Sequence, residues 1–457
     1  MRVLILILFT AFICTVISCE KFLDEKTLKS STVPSTLEDM QALLDAGNRI
    51  NLGNYPALLE TGTDDYFITE EAYANLSSFQ RDIYTFGNPD LYPSTSDMTI
   101  WRNPYYVIAI ANTVLDGLSS IAEDSGLDER QIAGQALFHR GFGHFLLAQV
   151  YCPPYDSKSD NSGLGIPLRL TSDNNVKSTR STIKETYDIV ITDLKQAAEL
   201  LDDLPQVLTR PSRISALAAL SRVYLCMEDY EEAQRCARSA LLIKDDLLDL
   251  NQMDIAQNFP FEMMNEETIF FSYSAGLSMM NPSRSSYMHQ ELYELYDEHD
   301  LRKQAYFKKE SNGHYTFKGS YLGRGSSSFF NGLTTSEVVL NLAESSVRTG
   351  NLLEAKSELN KLLIRRIDGE FFEPISTEDA EHLLRVILEE RRKELVRRGI
   401  RWSDLRRLNK DDRFMKSIVR RLTLEGGERV FVLEPNSENY IYKIPREVIQ
   451  ITGMEQN

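Results

Sequence analysis

The sequence predicts a mostly α-helical protein, a tetratricopeptide-like helical-repeat superhelix with a loop-rich excursion containing a few short strands. Three observations carry this expectation. In residues 214–243, Leu220, Ser221 and Tyr224 fall on a first helix, and Ala233 and Ala240 fall on a second. In 334–366, Leu342, Ala343 and Ser346 precede Gly350 at a turn, and Ala355 follows Ser346 at the spacing that separates Tyr224 from Ala233. Small residues suit those places because antiparallel helices approach closely there, where a larger side chain would overpack by about 1–3 kcal/mol. The third observation is that 245–334 breaks the helical period. With 457 residues, 42% of them hydrophobic, the chain is long enough to bury a large core.

Taken in order, residues 1–18 read as a removable signal peptide. The apolar run 3–17 behind Arg2 is shorter than the roughly 20 residues that span a bilayer. It ends Val16-Ile17-Ser18-Cys19, similar to the lipobox of bacterial lipoproteins, with Val where Leu is usual. Cleavage before Cys19 would expose its thiol and amino group to acylation, by palmitate among other chains. Two or three acyl chains, at about 0.8 kcal/mol per buried CH₂, would tether the body to a membrane.

Residues 19–457 are expected to form one body. Its parts are 19–244 with the first helical repeats, the excursion 245–334 as the ligand surface, and 335–457 with the C-terminal repeats and tail. A long helix at 128–151 carries an apolar stripe through Ala136, Leu137, Phe142, Phe145, Leu146 and Val150, and 182–201 is its partner. The loop between them holds Pro153, Pro154, Gly163, Gly165 and Pro167. Within the excursion, 268–273 and 314–317 read as strands, and Gly323, Gly325 and 326–328 as a turn. A charged helix at 376–398 ends at Gly399, and 429–433 with 440–444 read as a hairpin around Pro435 and Asn436. Cys152, Cys226 and Cys236 have no CxxC spacing and are expected to be buried free thiols.

Composition narrows the function. The net charge of −17 argues against a nucleic-acid or anionic-lipid partner, since phosphate affinity rests on Lys and Arg. No enzyme, metal or cofactor is expected. His139 and His144 lie about 140° apart around a helix and do not share a face as HExxH ligands would. Asp297-Glu298-His299-Asp300 is dense in possible ligands but sits on a charged amphipathic segment. There is no GxSxG and no GKS or GKT loop, and the glycine pair Gly323, Gly325 stands alone. The charge run 389–407 alternates in sign and reads as a solvated helix laced by i,i+4 pairs.

Several segments in order carry a wider resemblance. They are Cys19-Glu20-Lys21-Phe22-Leu23-Asp24; Trp101 with Tyr105, Ala111, Asn112 and Leu115; and Ala136-Leu137-Phe138-His139-Arg140-Gly141-Phe142. They continue with 213–233; with Glu390, Arg391, Glu394, Leu395, Gly399, Arg401, Trp402, Asp404, Leu405 and Arg407; and with Ile444-Pro445 and Gln456-Asn457. Together they resemble the SusD/RagB family, outer-membrane lipoproteins of Bacteroidetes that bind glycans beside a TonB-dependent transporter. Arg398 stands where that family usually has Glu, and 245–334 gives no match. The resemblance implies a non-catalytic protein on the outer membrane, lipid-anchored at Cys19 and facing the cell surface, that captures an oligosaccharide and delivers it to a SusC-like barrel.

A sugar offers C–H faces for aromatic rings and hydroxyls for polar side chains. Trp101 and Trp402 fall on framework positions, so tyrosines from two loop-borne groups, 64–101 and 287–330, must supply the platform. The expected site is Tyr66, Tyr84, Tyr92, Tyr287 and Tyr321, with Asp65, Arg81 and Asn88 as hydroxyl partners. An alternative is a scaffold of the same shape with peptide or protein cargo. A surface glycoside hydrolase would need two facing carboxyls about 5–9 Å apart, and adjacent Asp64 and Asp65 suit that poorly.

Overall fold

Helix starts follow local chemistry: a short polar side chain takes a free N–H and the apolar period begins behind it. Thr36 and Thr182 form capping boxes with Asp39 and Glu185 ahead of α1 (Leu37–Leu44) and α4 (Ile183–Leu200). Between them lie α2 (Thr99–Leu118) and α3 (Glu129–Tyr151), the latter capped by Asp128. Then follow α5 (Arg213–Met227), α6 (Tyr230–Leu241), α7 (Thr335–Arg348), α8 (Leu352–Leu363), α9 (Ala380–Glu394), α10 (Arg401–Leu408) and α11 (Arg446–Thr452). The computed structural model describes residues 34–52, 55–87, 99–119, 121, 128–282 and 286–457. Cys19, Asn88 and Tyr92 lie outside them.

From α2 to α8 each helix packs on the next, and α9 returns onto α7. The fold is the mostly α superhelix expected. α6 and α7 are neighbours in space although the whole excursion separates them in sequence, so 245–334 leaves the superhelix and rejoins it one helix further on. The small repeat residues sit at the closest approaches: Ser221, Ala233, Ala240, Ser346 and Ala355 are fully buried. Gly141 lets α3 lie against α4, where a Cβ would come within 2.9 Å of Asp193 Cβ and 3.2 Å of the Val190 carbonyl. Arg140 beside it grips Asp193 with two bonds of 2.8 and 2.7 Å and also donates to Asn112. At the C-terminus Gln456 exchanges two hydrogen bonds with the Ile444 backbone, and Asn457 donates to the carbonyls of Tyr151 and Tyr442. Trp101 and Trp402 are buried, as are the free thiols Cys152, Cys226 and Cys236. Burial pushes the Cys226 and Cys236 thiols up to about 11.

Strands are short and paired in twos. β1 (Tyr66–Ile68) pairs antiparallel with β2 (Ser286–Met288), and β3 (Phe307–Lys309) with β4 (Tyr315–Phe317). The last hairpin corrects the sequence expectation: it joins β5 (Ile418–Leu424) to β6 (Gly427–Leu433), and Tyr440 lies in a short 3-10 turn instead. Gly426 and Gly427, at φ of +98° and +115°, make the turn that Pro435 and Asn436 were expected to make. The strand expected at 268–273 is split into Thr268–Phe270 and Tyr273–Ser274, which pair with Leu333–Thr334 and Phe329–Phe330.

The largest departure concerns the charge run. From Glu390 to Arg407 it is buried almost throughout. Arg407 holds Glu344 of α7 with bonds of 2.6 and 2.7 Å, and Arg391 and Arg407 share Asp404. Arg302, wholly buried, meets Asp300, Glu390 and Glu394, while Arg366 joins Glu394 to Glu267. Arg392 and Arg401 reach Asp64 and Asp65 just before β1. Burial alone would raise the Glu344 and Glu394 carboxyls, but Arg407 and Arg366 respectively, each with neighbouring arginines, hold both at about 2.

Replacing Glu394 by glutamine leaves two desolvated guanidiniums short of an anion and is expected to lower the unfolding free energy by about 3–5 kcal/mol. Because the folded-state values of Glu344 and Glu394 lie below their ordinary 4.5, their stabilisation is present above that pH and is lost as the pH falls towards 2. Urea titrations followed by circular dichroism across that window check both, and a flat midpoint would contradict them.

Candidate functional site

The residues leading into β1 are fixed by charge, and the strand then sorts its side chains by period two. Tyr66 and Ile68 point inward and Phe67 outward; opposite them Met288 and Ser286 point inward and Tyr287 outward. The register sets Phe67 directly across from Tyr287, which places their rings 5.7 Å apart on the half-exposed face. Behind the ribbon Arg397 donates to Ser286 Oγ, and the His289 N–H bonds the Asp65 carbonyl at 2.9 Å.

A third ring arrives from the β3–β4 turn. Asn312 and Gly313 make that turn, Gly313 at φ +84°, a value costly for any residue with a Cβ. The His314 N–H donates to Asn312 Oδ1, and Asn312 Nδ2 donates to the Tyr287 hydroxyl at 3.1 Å. The His314 ring consequently lies 5.1 Å from Phe67 and 5.0 Å from Tyr287. His289 meets Phe67 edge-on at 6.5 Å, and its Nδ1 accepts from the Glu291 N–H.

Beside this cluster lies a groove of about 490 Å³ between β1 and the near edge of β5. Its rim carries Phe67, His289, Glu291, Lys416, Val419 and Arg421, with Tyr66, Tyr84 and Arg420 beneath. The Arg420 guanidinium sits 4.0 Å from the Tyr84 ring and 5.3 Å from that of Tyr66. Lys416 reaches Asp64 at 2.9 Å and Glu291 at 3.3 Å. Burial would raise Asp64, but Arg392, Arg401 and Lys416 hold its carboxyl well below the usual range.

The expected residues therefore divide. Tyr287 lies on the open aromatic face. Tyr66 and Tyr84 reach the groove only from its floor: the Tyr66 hydroxyl donates to the Thr61 carbonyl, and the Tyr84 hydroxyl accepts from the Ile68 N–H. Asp65 is buried against Arg392 at 3.0 Å and positions β1 rather than facing a ligand. Arg81 donates to the carbonyl of Ala74, the last residue of the short helix before its own. Tyr321 is the clear correction. It is 1% exposed, its hydroxyl donates to Glu267 at 2.6 Å and the Arg398 guanidinium covers its ring at 3.2 Å, so neither face can meet a sugar. The expected platform left out Phe67, although it falls in the 64–101 group, together with His289, His314, Lys416 and Arg421. The alternation Tyr66-Phe67-Ile68 and the Asn312-Gly313 turn were the available signals for the first and third.

A second groove, of about 680 Å³, runs between α2, the 167–178 loop and α11. Its aromatic rings are used in packing: Trp101 lies 4.8 Å from Tyr151, and Tyr105 donates to the Pro167 carbonyl. Among the described residues no three His, Cys, Asp or Glu side chains converge as a metal site, and no helix is long and apolar enough to cross a membrane.

Residues 21–225 match a family model described as SusD-like, starch-binding and associating with the outer membrane, and residues 302–457 match the SusD family model. The chain belongs to the SusD family. Over 135 residues it is 27% identical to SusD-like protein P2 of Formosa agariphila, a stretch covering 29% of this chain and 25% of that protein's length. Its fold is similar to that of a SusD superfamily protein from Bacteroides thetaiotaomicron, with a TM-score of 0.71 and 21% identity over 92% of this chain and 99% of the other. A SusD-like carbohydrate-binding protein from Bacteroides vulgatus superposes with a TM-score of 0.70 at 18% identity, covering 92% and 96%. The unmatched stretch between the two family segments, 226–301, contains β2 and therefore Tyr287. The Arg398 guanidinium takes aromatic partners, Tyr321 and Phe330.

Replacing Tyr321 by phenylalanine is expected to cost about 1.5–3 kcal/mol of stability, the range for a hydrogen bond to a charged group, while ligand affinity stays at the wild-type value. Thermal unfolding and titration calorimetry measure the two. Lost affinity with unchanged stability would return Tyr321 to the site.

Proposed function

We propose that this protein is a non-catalytic lipoprotein of the outer membrane that binds an oligosaccharide at the Phe67–Tyr287–His314 face and passes it to a TonB-dependent transporter. The observation that carries the reading is the cluster of three rings, half-open to solvent and set over a polar groove. Aromatic faces take the C–H side of a pyranose while Asn312, His289, Glu291 and Lys416 stand where hydroxyls need partners. The SusD-like model's description as starch-binding and outer-membrane-associating, and the carbohydrate-binding relative from Bacteroides vulgatus, support the same reading.

The groove's carboxyls support binding rather than hydrolysis. A glycosidase needs one carboxyl held protonated as the acid. Asp64 is instead kept ionised by three cations, and the Lys416 charge pulls Glu291 below its ordinary value. The tether is Cys19, acylated after removal of 1–18.

Replacing Phe67 and Tyr287 together by alanine removes two stacking faces. Each is worth about 0.5–1.5 kcal/mol beyond its area, so affinity for the oligosaccharide that the wild type selects on a glycan array is expected to fall about 10- to 100-fold. Unchanged affinity would sink the placement, and an array on which the wild type retains no carbohydrate would sink the function. Replacing Cys19 by alanine is expected to move the protein from the detergent phase to the aqueous phase on Triton X-114 partition of cells. Retention in the detergent phase would rule out this anchor.

A further inference from the structure

The lining of the groove beside the aromatic face holds more cationic than anionic side chains, in a chain whose net charge is −17. Its lining includes Lys416, Arg420 and Arg421 against Asp64 and Glu291. Asp64 is already shared, at 2.8 Å from Arg401, 2.9 Å from Lys416 and 3.1 Å from Arg392, so it leaves little negative charge for the groove. Glu60, packed behind, adds none at neutral pH, because burial pushes its carboxyl up to about 8.

Two of the three groove cations lack an anion. Arg420 is 4% exposed and donates to the carbonyls of Tyr84, Thr61 and Thr63, with no carboxylate among the described residues. A buried guanidinium answered only by carbonyls and rings keeps a field that solvent screens less than that of an exposed cation. The Arg421 side chain is exposed on the outward face of β5 and forms no hydrogen bond or ion pair with any described residue. Its fork of N–H donors fits the paired oxygens of a carboxylate or sulfate. His289 adds to this: its Nδ1 accepts from the Glu291 N–H, so in the neutral ring the proton lies on Nε2 as a further donor.

We infer that the glycan is anionic, and that Arg421, supported by Lys416 and the buried Arg420, binds a carboxylate or sulfate on the sugar ring next to the one stacked on Phe67 and Tyr287. This rests on the proposed carbohydrate site and names its substrate class. The oxyanion enters a groove that already holds the opposing charge, whereas a neutral sugar would have to leave Arg421 in water and Arg420 without an anion. Uronates and sulfated sugars share this chemistry.

The test uses the lipid-free protein and matched pairs of oligosaccharides: oligogalacturonate with its carboxyl-reduced form, and a sulfated galactan oligosaccharide with its desulfated form. At least one acidic member is expected to bind about tenfold or more tighter than its neutral counterpart, with affinity falling as salt is added. Which pair shows the difference distinguishes carboxylate from sulfate. In Arg421→Gln the acidic-over-neutral preference is expected to collapse, and Arg421→Lys is expected to restore part of it. Neutral members binding as tightly as acidic ones, or a preference that survives both Arg421→Gln and Lys416→Gln, overturns the anionic assignment and leaves glycan binding standing. Failure of every acidic and neutral carbohydrate to bind, on these pairs and on an array, overturns both.

Discussion

The guanidinium and carboxylate groups between Glu390 and Arg407 bind four separated parts of the chain to one another inside the protein. α7 is held through Glu344, the excursion through Asp300, Arg302 and Glu267, the end of α8 through Arg366, and the approach to β1 through Asp64 and Asp65. Apolar contact would favour almost any packing of these pieces. Buried charges favour the arrangement in which every charge meets its partner, because a one-residue slip would strand ions without water. The expected result is register rather than net stability, and β1 shows why register matters here. It is three residues long with one antiparallel neighbour, too little strand to hold its own position, yet it carries the ring at the centre of the site.

This dependence also explains which family motifs are legible without a ligand. Arg140 with Asn112 and Asp193, Glu390 with Arg302, and Gln456 with Ile444 are all joints between separated segments. None of these residues lines the groove beside the aromatic face. Its floor, Asp64, Tyr66, Tyr84 and Arg420, belongs to the joints, whereas the rim residues Phe67, His289, Val419 and Arg421 come from short strands, turns and the last hairpin, where side chains can change without disturbing one. The fold constrains the floor of the groove and leaves its rim free to vary.

Much of the frame could be read from the sequence because it rests on local rules. Helix periods, caps and the small residues of the repeats announce themselves within a few positions, and α3 begins within a residue of its expected start. The site was less legible for a physical reason: burial is a property of the whole fold. Tyr66, Tyr84 and Tyr321 look like loop aromatics in sequence, but Arg420, Ile68 and Glu267 arrive from afar to take their rings and hydroxyls. The charge run misled for the same reason. Alternating charges on a helix favour solvent unless partners come from elsewhere, and here Glu344, Arg302 and Arg366 do so. Only the β5–β6 hairpin was misplaced on local grounds, since Gly426-Gly427 outranks Pro435-Asn436 as a turn.

The turn that brings His314 to the aromatic face is closed by its own chemistry: the Glu310 N–H donates to the His314 carbonyl, Asn312 caps the loop, and Gly313 supplies the backbone twist. Its side chains meet the ribbon through the hydrogen bond from Asn312 to Tyr287 and the His314 ring against Phe67 and Tyr287. Such a loop behaves as an exchangeable cassette. Lengthening or rewriting 310–314 would change how far the third wall of the site reaches over a ligand while the charge-locked frame beneath stays as it is. In a lineage that meets new sugars, this is where a change of diet could be written with the fewest substitutions.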